Sequence, residues 1–322
     1  MKPCQPGSLF LNTEPMNPIR MGDLSAPDIE QCLRGDGLGL HVASFRCLVR
    51  SDTGLLSGPL RQLYRDYAVE PVPSGFYDFR IRLSRTRANF WKNWEVEFDW
   101  EGSSPFPPLP LAHTHPLFEW GLNWCVASAS GLHTVIHSAV VEREGRALVL
   151  PGQTGSGKST LCAALAHAGW RLLSDELTIV SQSDGRVQAV PRPISLKGAS
   201  IDLIGRHYPL ADMTLAVDDT HKGSIAYARA ASDAVAAGQQ SAPIGFVVFP
   251  RFIAGTELAF EPLSRAATLT ELMKNTFNVG LLGADGFEAL ACAITHAKCY
   301  AVEYGDLSSI LKWVDSTCRH PD

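Results

Sequence analysis

The stretch Ala147-Leu148-Val149-Leu150-Pro151-Gly152-Gln153-Thr154-Gly155-Ser156-Gly157-Lys158-Ser159-Thr160 decides the reading of this 322-residue chain. An apolar run enters a glycine-rich loop whose spacing, Gly152-x4-Gly157-Lys158-Ser159, is the Walker A pattern of phosphate-binding loops. Glycine at 152, 155 and 157 lets the backbone adopt unusual torsions and approach phosphate oxygens. Successive N–H groups in such a loop form an anion nest, and the following helix adds the positive end of its dipole. Lys158 brings a point charge to the β- and γ-phosphates, and the Ser159 hydroxyl can ligate Mg²⁺. The candidate nucleotide-binding residues are thus Gly152, Gln153, Thr154, Gly155, Ser156, Gly157, Lys158, Ser159 and Thr160.

The flanking residues supply the context this motif needs. Residues 159–168 read as a helix with Leu161, Cys162, Leu165 and Ala168 on or near one face, and Gly169 stands where a C-terminal glycine belongs. Residues 170–174 then run into Asp175-Glu176, followed by the apolar 177–180. An acid at the end of a strand that returns directly after the loop helix faces the metal or the attacking nucleophile in phosphate-loop proteins. Upstream, 134–142 and 146–150 flank Glu144-Gly145 as a hairpin feeding the loop. Downstream, 245–249 reads as a buried strand, and 269–273 and 286–294 as helices.

The first third reads differently. Residues 40–50 alternate loosely as one strand, and 57–67 form a helix with Leu60, Leu63, Tyr64 and Tyr67 at helical spacing. Phe79, Ile81 and Leu83 alternate with Arg80 and Arg82, while Val96, Phe98 and Trp100 alternate with Glu95, Glu97 and Asp99. Both are half-buried strands by period, and the basic outer face of one suits the acidic outer face of the other across an antiparallel ladder. Pro105, Pro107, Pro108 and Pro110 mark 103–110 as a linker, and 117–128 reads as a helix beyond it. The expected organisation is a flexible lead-in over 1–20, an N-terminal α+β domain over 21–105 and an α/β catalytic domain over 111–322. His113 and His115 have no further ligand cluster beside them and are expected in a loop rather than on a metal.

Composition narrows the partners. The chain is 45% hydrophobic and 19% charged, with a net charge of −5 and no basic run, so nucleic acid or an anionic membrane is not an expected partner. No apolar stretch is long enough to span a bilayer, and 1–20 lacks the apolar core of a secretory signal; Met16 or Met21 could serve as the start. The eight cysteines are scattered without a Cys-x-x-Cys pair, which suits reduced thiols in a cytoplasmic protein.

In order along the chain, His137-Ser138-Ala139-Val140-Val141, Gly145, the loop from Gly152 to Ser159, Gly169-Trp170-Arg171-Leu172 and Asp175-Glu176 resemble the catalytic domain of the bacterial HPr kinase/phosphorylase family. Ile194-Ser195-Leu196-Lys197-Gly198 is similar to that family's segment after the acid pair. Glu119-Trp120-Gly121-Leu122-Asn123-Trp124, His221-Lys222-Gly223 and Asn275-Thr276-Phe277-Asn278 look like a subgroup, HPr kinase-related kinase A, over roughly 40 to the C-terminus. The resemblance implies a P-loop kinase domain of HPr kinase type, using ATP and Mg²⁺ to phosphorylate a hydroxyl, foremost a serine, of a protein or peptide. It implies Asp175 as the base, Lys158 as the phosphate cation, and Ser159 with Glu176 on the metal. His137 matches the family's site histidine, the alternative being a buried strand histidine. Arg192, Lys197 and Lys222 are candidate phosphate or acceptor contacts, the alternative being surface charges. Members tend to be encoded beside peptide-modification or exosortase systems, often with a small PqqD-like peptide-binding protein, and HPr kinase relatives form hexamers, so a homo-oligomer is compatible.

Three departures qualify the transfer. Glu176 replaces the usual Asp, Ser195 stands where a metal-assisting Glu is usual, and no arginine-rich loop for phosphorolysis is found. Kinase activity without the reverse phosphorylase reaction is the expectation. The competing classes are a nucleotide-driven ATPase or switch and a peptide-binding module. The absence of Asn-Lys-x-Asp weakens a GTPase, and the absence of Leu-Ser-Gly-Gly-Gln after the loop weakens an ABC ATPase.

Overall fold

A computed structural model describes residues 18–318 apart from 88–90, 92, 132, 154 and 208–211, so Thr154 and most of the expected lead-in lie outside the described residues. The chain is a mixed α/β protein built on three sheets. The first comprises β1 (Leu38–Val42), β2 (Phe45–Ser51), β3 (Val69–Glu70), β4 (Phe79–Thr86), β5 (Glu95–Trp100) and β6 (Leu109–Pro110), in the order β3-β1-β2-β4-β5-β6. Its apolar face is covered by α1 (Ala26–Arg34), α2 (Ser57–Leu63) and α3 (Thr114–Ala129).

Several expectations change here. The single strand over 40–50 is a hairpin: Val42 pairs with Phe45, and Ala43 takes φ +53 between them. A two-residue turn with positive φ normally announces itself by Asn or Gly, and this one does not. The helix expected to reach 67 stops at Leu63, although Tyr64 and Tyr67 remain buried beside it. The ladder between β4 and β5 has the expected charge pairing, with Arg82 opposite Asp99 and Leu83 opposite Phe98. The proline-rich 103–110 stays with this sheet: β6 pairs with β5, and Phe106 packs edge-on against Phe98. His113 ends a short 3₁₀ turn and His115 lies inside α3, not in a loop. Helix α3 lies so close to β5 that a Cβ on Gly121 would fall 1.8 Å from the Phe98 ring.

The central sheet begins with β7 (His133–Arg143) and β8 (Arg146–Pro151), joined through Glu144 and Gly145, both at positive φ. That is the geometry of a tight hairpin turn. The loop 152–157 leads into α4 (Lys158–His167), then β9 (Arg171–Ser174), β10 (Leu177–Ser181) and β11 (Val187–Gln188). A small three-stranded sheet follows, with β12 (Ile194–Lys197), α5 (Ala199–His207), β13 (Val217–Thr220) and β14 (Gly223–Ala228) in strand order β12-β14-β13. The chain then passes α6 (Ser232–Ala236), β15 (Ile244–Phe252), β16 (Ala259–Pro262), α7 (Arg265–Lys274), α8 (Val279–Ala293), β17 (Lys298–Tyr304) and α9 (Leu307–Thr317).

In the central sheet β8, β15 and β17 run parallel, while β7, β10, β11 and β16 extend it antiparallel in the order β11-β10-β7-β8-β15-β17-β16. Its inner strands bury both faces, while the edge strand β16 is exposed throughout. Leu148 and Leu150 point with Phe246 and Val248 toward α4 and α9, and Ala147 and Val149 point with Val247 toward Leu272 of α7 and Leu290 of α8. An alternating run with no polar face is what a strand covered on both sides requires. A further cluster runs from the first sheet through Leu117, Phe118 and Leu122 of α3 to Val135, Leu177 and Tyr227, so the two large sheets share buried contacts. Among the described residues no helix is long and apolar enough to cross a membrane.

Candidate active site

The site is assembled where the sheet is interrupted. Strands β9 and β10 lie along the same strand, β7: Ser174 pairs with Val140 and Leu177 with His137. Asp175 and Glu176 fill the break between them. Their side chains are thus aimed out of the sheet beside His137 and toward the loop that follows β8.

Across that gap the chain turns sharply into α4. Gly157 caps the helix at φ +95, and a Cβ there would stand 2.5 Å from the Tyr304 hydroxyl. Only glycine satisfies both the torsion and the close approach. Lys158, the first residue of α4, folds back over the loop: its ammonium donates to the carbonyls of Gly152 and of Gln153, the latter at 3.0 Å. Burial pushes the Lys158 pKa down, with the charges of Glu176 and Asp175 opposing that shift.

Gly155, Gly157, Lys158, Ser159, Thr160, His137, Asp175, Glu176 and Lys197 all line one cavity of about 410 Å³. The fold therefore brings most of the expected site together. Gly152, Gln153 and Ser156 do not line the cavity; the Gly152 and Gln153 carbonyls instead accept from Lys158. Two candidates are placed elsewhere. Arg192 is 7% exposed and faces Glu119 at 3.8 Å in a buried cluster, and Lys222 lies over the Trp120 ring at 5.3 Å; neither lines the cavity. Lys222 is still near enough for its charge to act on Glu176.

The two acids are in opposite electrostatic states. Asp175 is 5% exposed. Burial raises its pKa, the neighbouring Glu176 charge raises it further, and the Ser195 N–H, Lys197 and the nearby Ser159 hydroxyl only partly oppose this. Burial also works against ionised Glu176, but the neighbouring His137 ring and the charges of Lys197 and Lys222 overcome it and hold Glu176 well below the usual carboxylate range. The distances agree: His137 Nε2 lies 3.8 Å and Lys197 Nζ 3.5 Å from the Glu176 carboxylate. One acid is thus a fixed anion and the other is poised to exchange a proton.

The backbone of β12 orients Asp175. The Ser195 N–H donates to Asp175 Oδ2 at 2.9 Å. Asp175 Oδ1 and the Ser195 hydroxyl oxygen, both buried, have no hydrogen bond of ordinary geometry among the described residues. Buried polar atoms are nearly always paired, so two orphans lining one cavity point to a ligand. Among the described residues no group of three or more His, Cys, Asp or Glu is arranged to hold a metal alone. Ser159, Asp175, Glu176 and Ser195 instead offer a mixed oxygen set, which suits a hard cation shared with phosphate oxygens.

Sequence reasoning missed the other half of the lining: Ala199, Ser200, Leu203 and Arg206 from α5, and Phe252, Tyr304 and Leu307 from the ends of β15 and β17 and the start of α9. A signal existed for the α5 group, since 199, 203 and 206 recur at helical spacing. Phe252 and Tyr304 had no local signal; they meet only because β15 and β17 pair in parallel with these residues in register. The chain matches no protein-family model and no curated protein.

Proposed function

We propose that the protein is an ATP-dependent kinase of HPr kinase type, transferring the γ-phosphate to a hydroxyl, foremost a serine, of a protein or peptide acceptor. The observation that carries this reading is the buried carboxylate of Asp175, with one oxygen held by Ser195 and the other without a hydrogen bond of ordinary geometry among the described residues, in the same cavity as Lys158 and Ser159. The phosphates would occupy the loop 152–157 at the N-terminus of α4, where backbone N–H groups and the helix dipole favour anions. Lys158 would exchange its contacts with the Gly152 and Gln153 carbonyls for phosphate oxygens. Mg²⁺, held by Ser159 and Glu176, would offset charge on the phosphates.

Asp175 then acts at Oδ1. It accepts the proton of the incoming hydroxyl and aims that oxygen at the γ-phosphorus, and its raised pKa makes it a better proton acceptor than an exposed aspartate. His137 and Lys197 keep Glu176 ionised and in place. Phosphoryl transfer relies mainly on positioning and charge, which this arrangement supplies. A PqqD-like peptide-binding protein and a cytoplasmic setting belong to the same proposal.

Incubation with γ-labelled ATP, Mg²⁺ and a pool of serine-containing peptides and candidate partner proteins tests it. Label on a peptide or protein supports the kinase. Free phosphate alone identifies an ATPase or switch, and neither identifies a binding module.

A further inference from the structure

The cavity has two unlike ends. One is the acid end, with His137, Asp175, Glu176 and Lys197. It lies on the β7 side of β8, because β9 and β10 both run along β7. The other lies across β8, at the C-terminal ends of β15 and β17, and is apolar: Phe252, Tyr304 and Leu307. In open sheets with parallel strands, ligands extend across the carboxyl ends of neighbouring strands.

Phe252 is the unusual residue there. Its N–H donates to the Ser156 carbonyl at 3.2 Å, so it is tied directly to the phosphate loop. The next N–H, of Ile253, donates to the Tyr304 carbonyl at 3.0 Å. The Phe252 ring leans on the Tyr304 ring at 5.6 Å between centroids and 62°. Tyr304 is 2% exposed and serves as a wall, whereas Phe252 is 44% exposed while lining the cavity. A large ring held this firmly yet left uncovered is a surface waiting for a flat partner. Helix α5 lines the same cavity, and its Arg206 is exposed and pairs with no carboxylate among the described residues.

We infer that Phe252 is the shelf on which the nucleobase of the bound triphosphate stacks, with Leu203 and Arg206 of α5 closing over it. This rests on the nucleotide reading above. The base and the γ-phosphate are opposite ends of one molecule. A triphosphate lying on the loop with its γ-phosphate toward Asp175 therefore extends its base away from the acid end, toward Phe252. An acceptor hydroxyl must reach Asp175 and enters at the other end.

Calorimetric titration of the full chain with ATP and with inorganic tripolyphosphate, each with Mg²⁺, tests this. Loss of base stacking on Phe252→Ala should weaken ATP by roughly 5- to 150-fold. Tripolyphosphate affinity should stay unchanged, and Phe252→Tyr should bind ATP as the parent does. If Phe252→Ala binds ATP at parental strength, or loses ATP and tripolyphosphate equally, the shelf is refuted while the nucleotide reading stands. If the parent protein binds no ATP, the nucleotide reading itself fails and the shelf with it.

Discussion

The N–H of Ser195 donates to Asp175 Oδ2 at 2.9 Å, joining a strand of the small sheet to the break in the central sheet. A side-chain partner could rotate away; a backbone donor on a paired strand cannot. The contact leaves Oδ1 as the oxygen of Asp175 without a hydrogen bond of ordinary geometry among the described residues, and it turns Ser195, one of the residues that depart from the resembled family, into a positioning element through its main chain. Replacing its side chain should therefore matter less than the missing acid suggests.

Asp175→Asn keeps the shape and the Ser195 contact but removes the proton acceptor. Phosphoryl transfer should fall by about 10²- to 10⁴-fold, the usual contribution of a general base. The KM for ATP should change little, because the loop 152–157 and Lys158 are untouched. Steady-state kinetics with the labelled acceptor measure both, and a mutant with near-parental kcat would remove Asp175 from the reaction.

The same carboxylate sets the pH dependence. Its pKa is raised by burial first and by Glu176 second. Transfer should decline as the pH falls through this raised pKa, above the ordinary aspartate range of about 3.9. Glu176→Gln removes the neighbouring negative charge and should move that acidic limb to lower pH. The stability sign is opposite. An unfolded Asp175 ionises first as pH rises, so the native state loses stability between the unfolded and folded pKa values. Asp175→Asn should consequently melt higher than the parent at pH 8, by about 2 °C, and a lower melting temperature there would refute the buried-charge account.

Gly157 combines a φ of +95 with a Cβ position 2.5 Å from the Tyr304 hydroxyl. Gly157→Ala should cost about 1–3 kcal/mol of stability through backbone strain, measured by urea unfolding. Adding Tyr304→Phe removes the hydroxyl from the clash but not the torsional strain, so the double mutant should recover only part of the loss. Full recovery would mean that the torsion is not strained.

The loop, its helix and the acid pair were legible because each is local: spacing and apolar periodicity place Lys158, Ser159 and Asp175 without reference to the rest of the chain. Much else is decided by contacts distant in sequence. The hairpin at Ala43 uses a residue with no turn signature, so it read as one strand. Phe252 and Tyr304 become neighbours only through parallel pairing, and β17 carries no periodic signal strong enough to announce it. Arg192 read as either a phosphate or acceptor contact or a surface charge, because a buried arginine away from a site has no local signature. Its burial depends on Glu119, which lies in a different element with its own buried partners.

That cluster yields the last prediction. Glu119, 2% exposed, accepts the single O–H of Tyr64, which lies 2.8 and 3.0 Å from its two carboxylate oxygens, with His115 Nε2 at 3.3 Å and Arg192 Nη2 at 3.8 Å. Tyr64 follows α2 of the N-terminal part, Glu119 lies in α3, and Arg192 precedes β12, whose Ser195 holds Asp175. The Tyr67 hydroxyl adds a bond to the Pro191 carbonyl at 2.9 Å. Glu119→Ala would strand a buried guanidinium and should destabilise the protein by about 3–5 kcal/mol. Glu119→Gln keeps an acceptor for Tyr64 and should cost less. Because the cluster links the first sheet to the strand that orients the acid, the damage should not stay in the N-terminal part: hydrogen exchange should quicken in β12 as well as in α2. Faster exchange confined to residues before 114 would show that the first sheet is an independent unit and that Glu119 does not support the site.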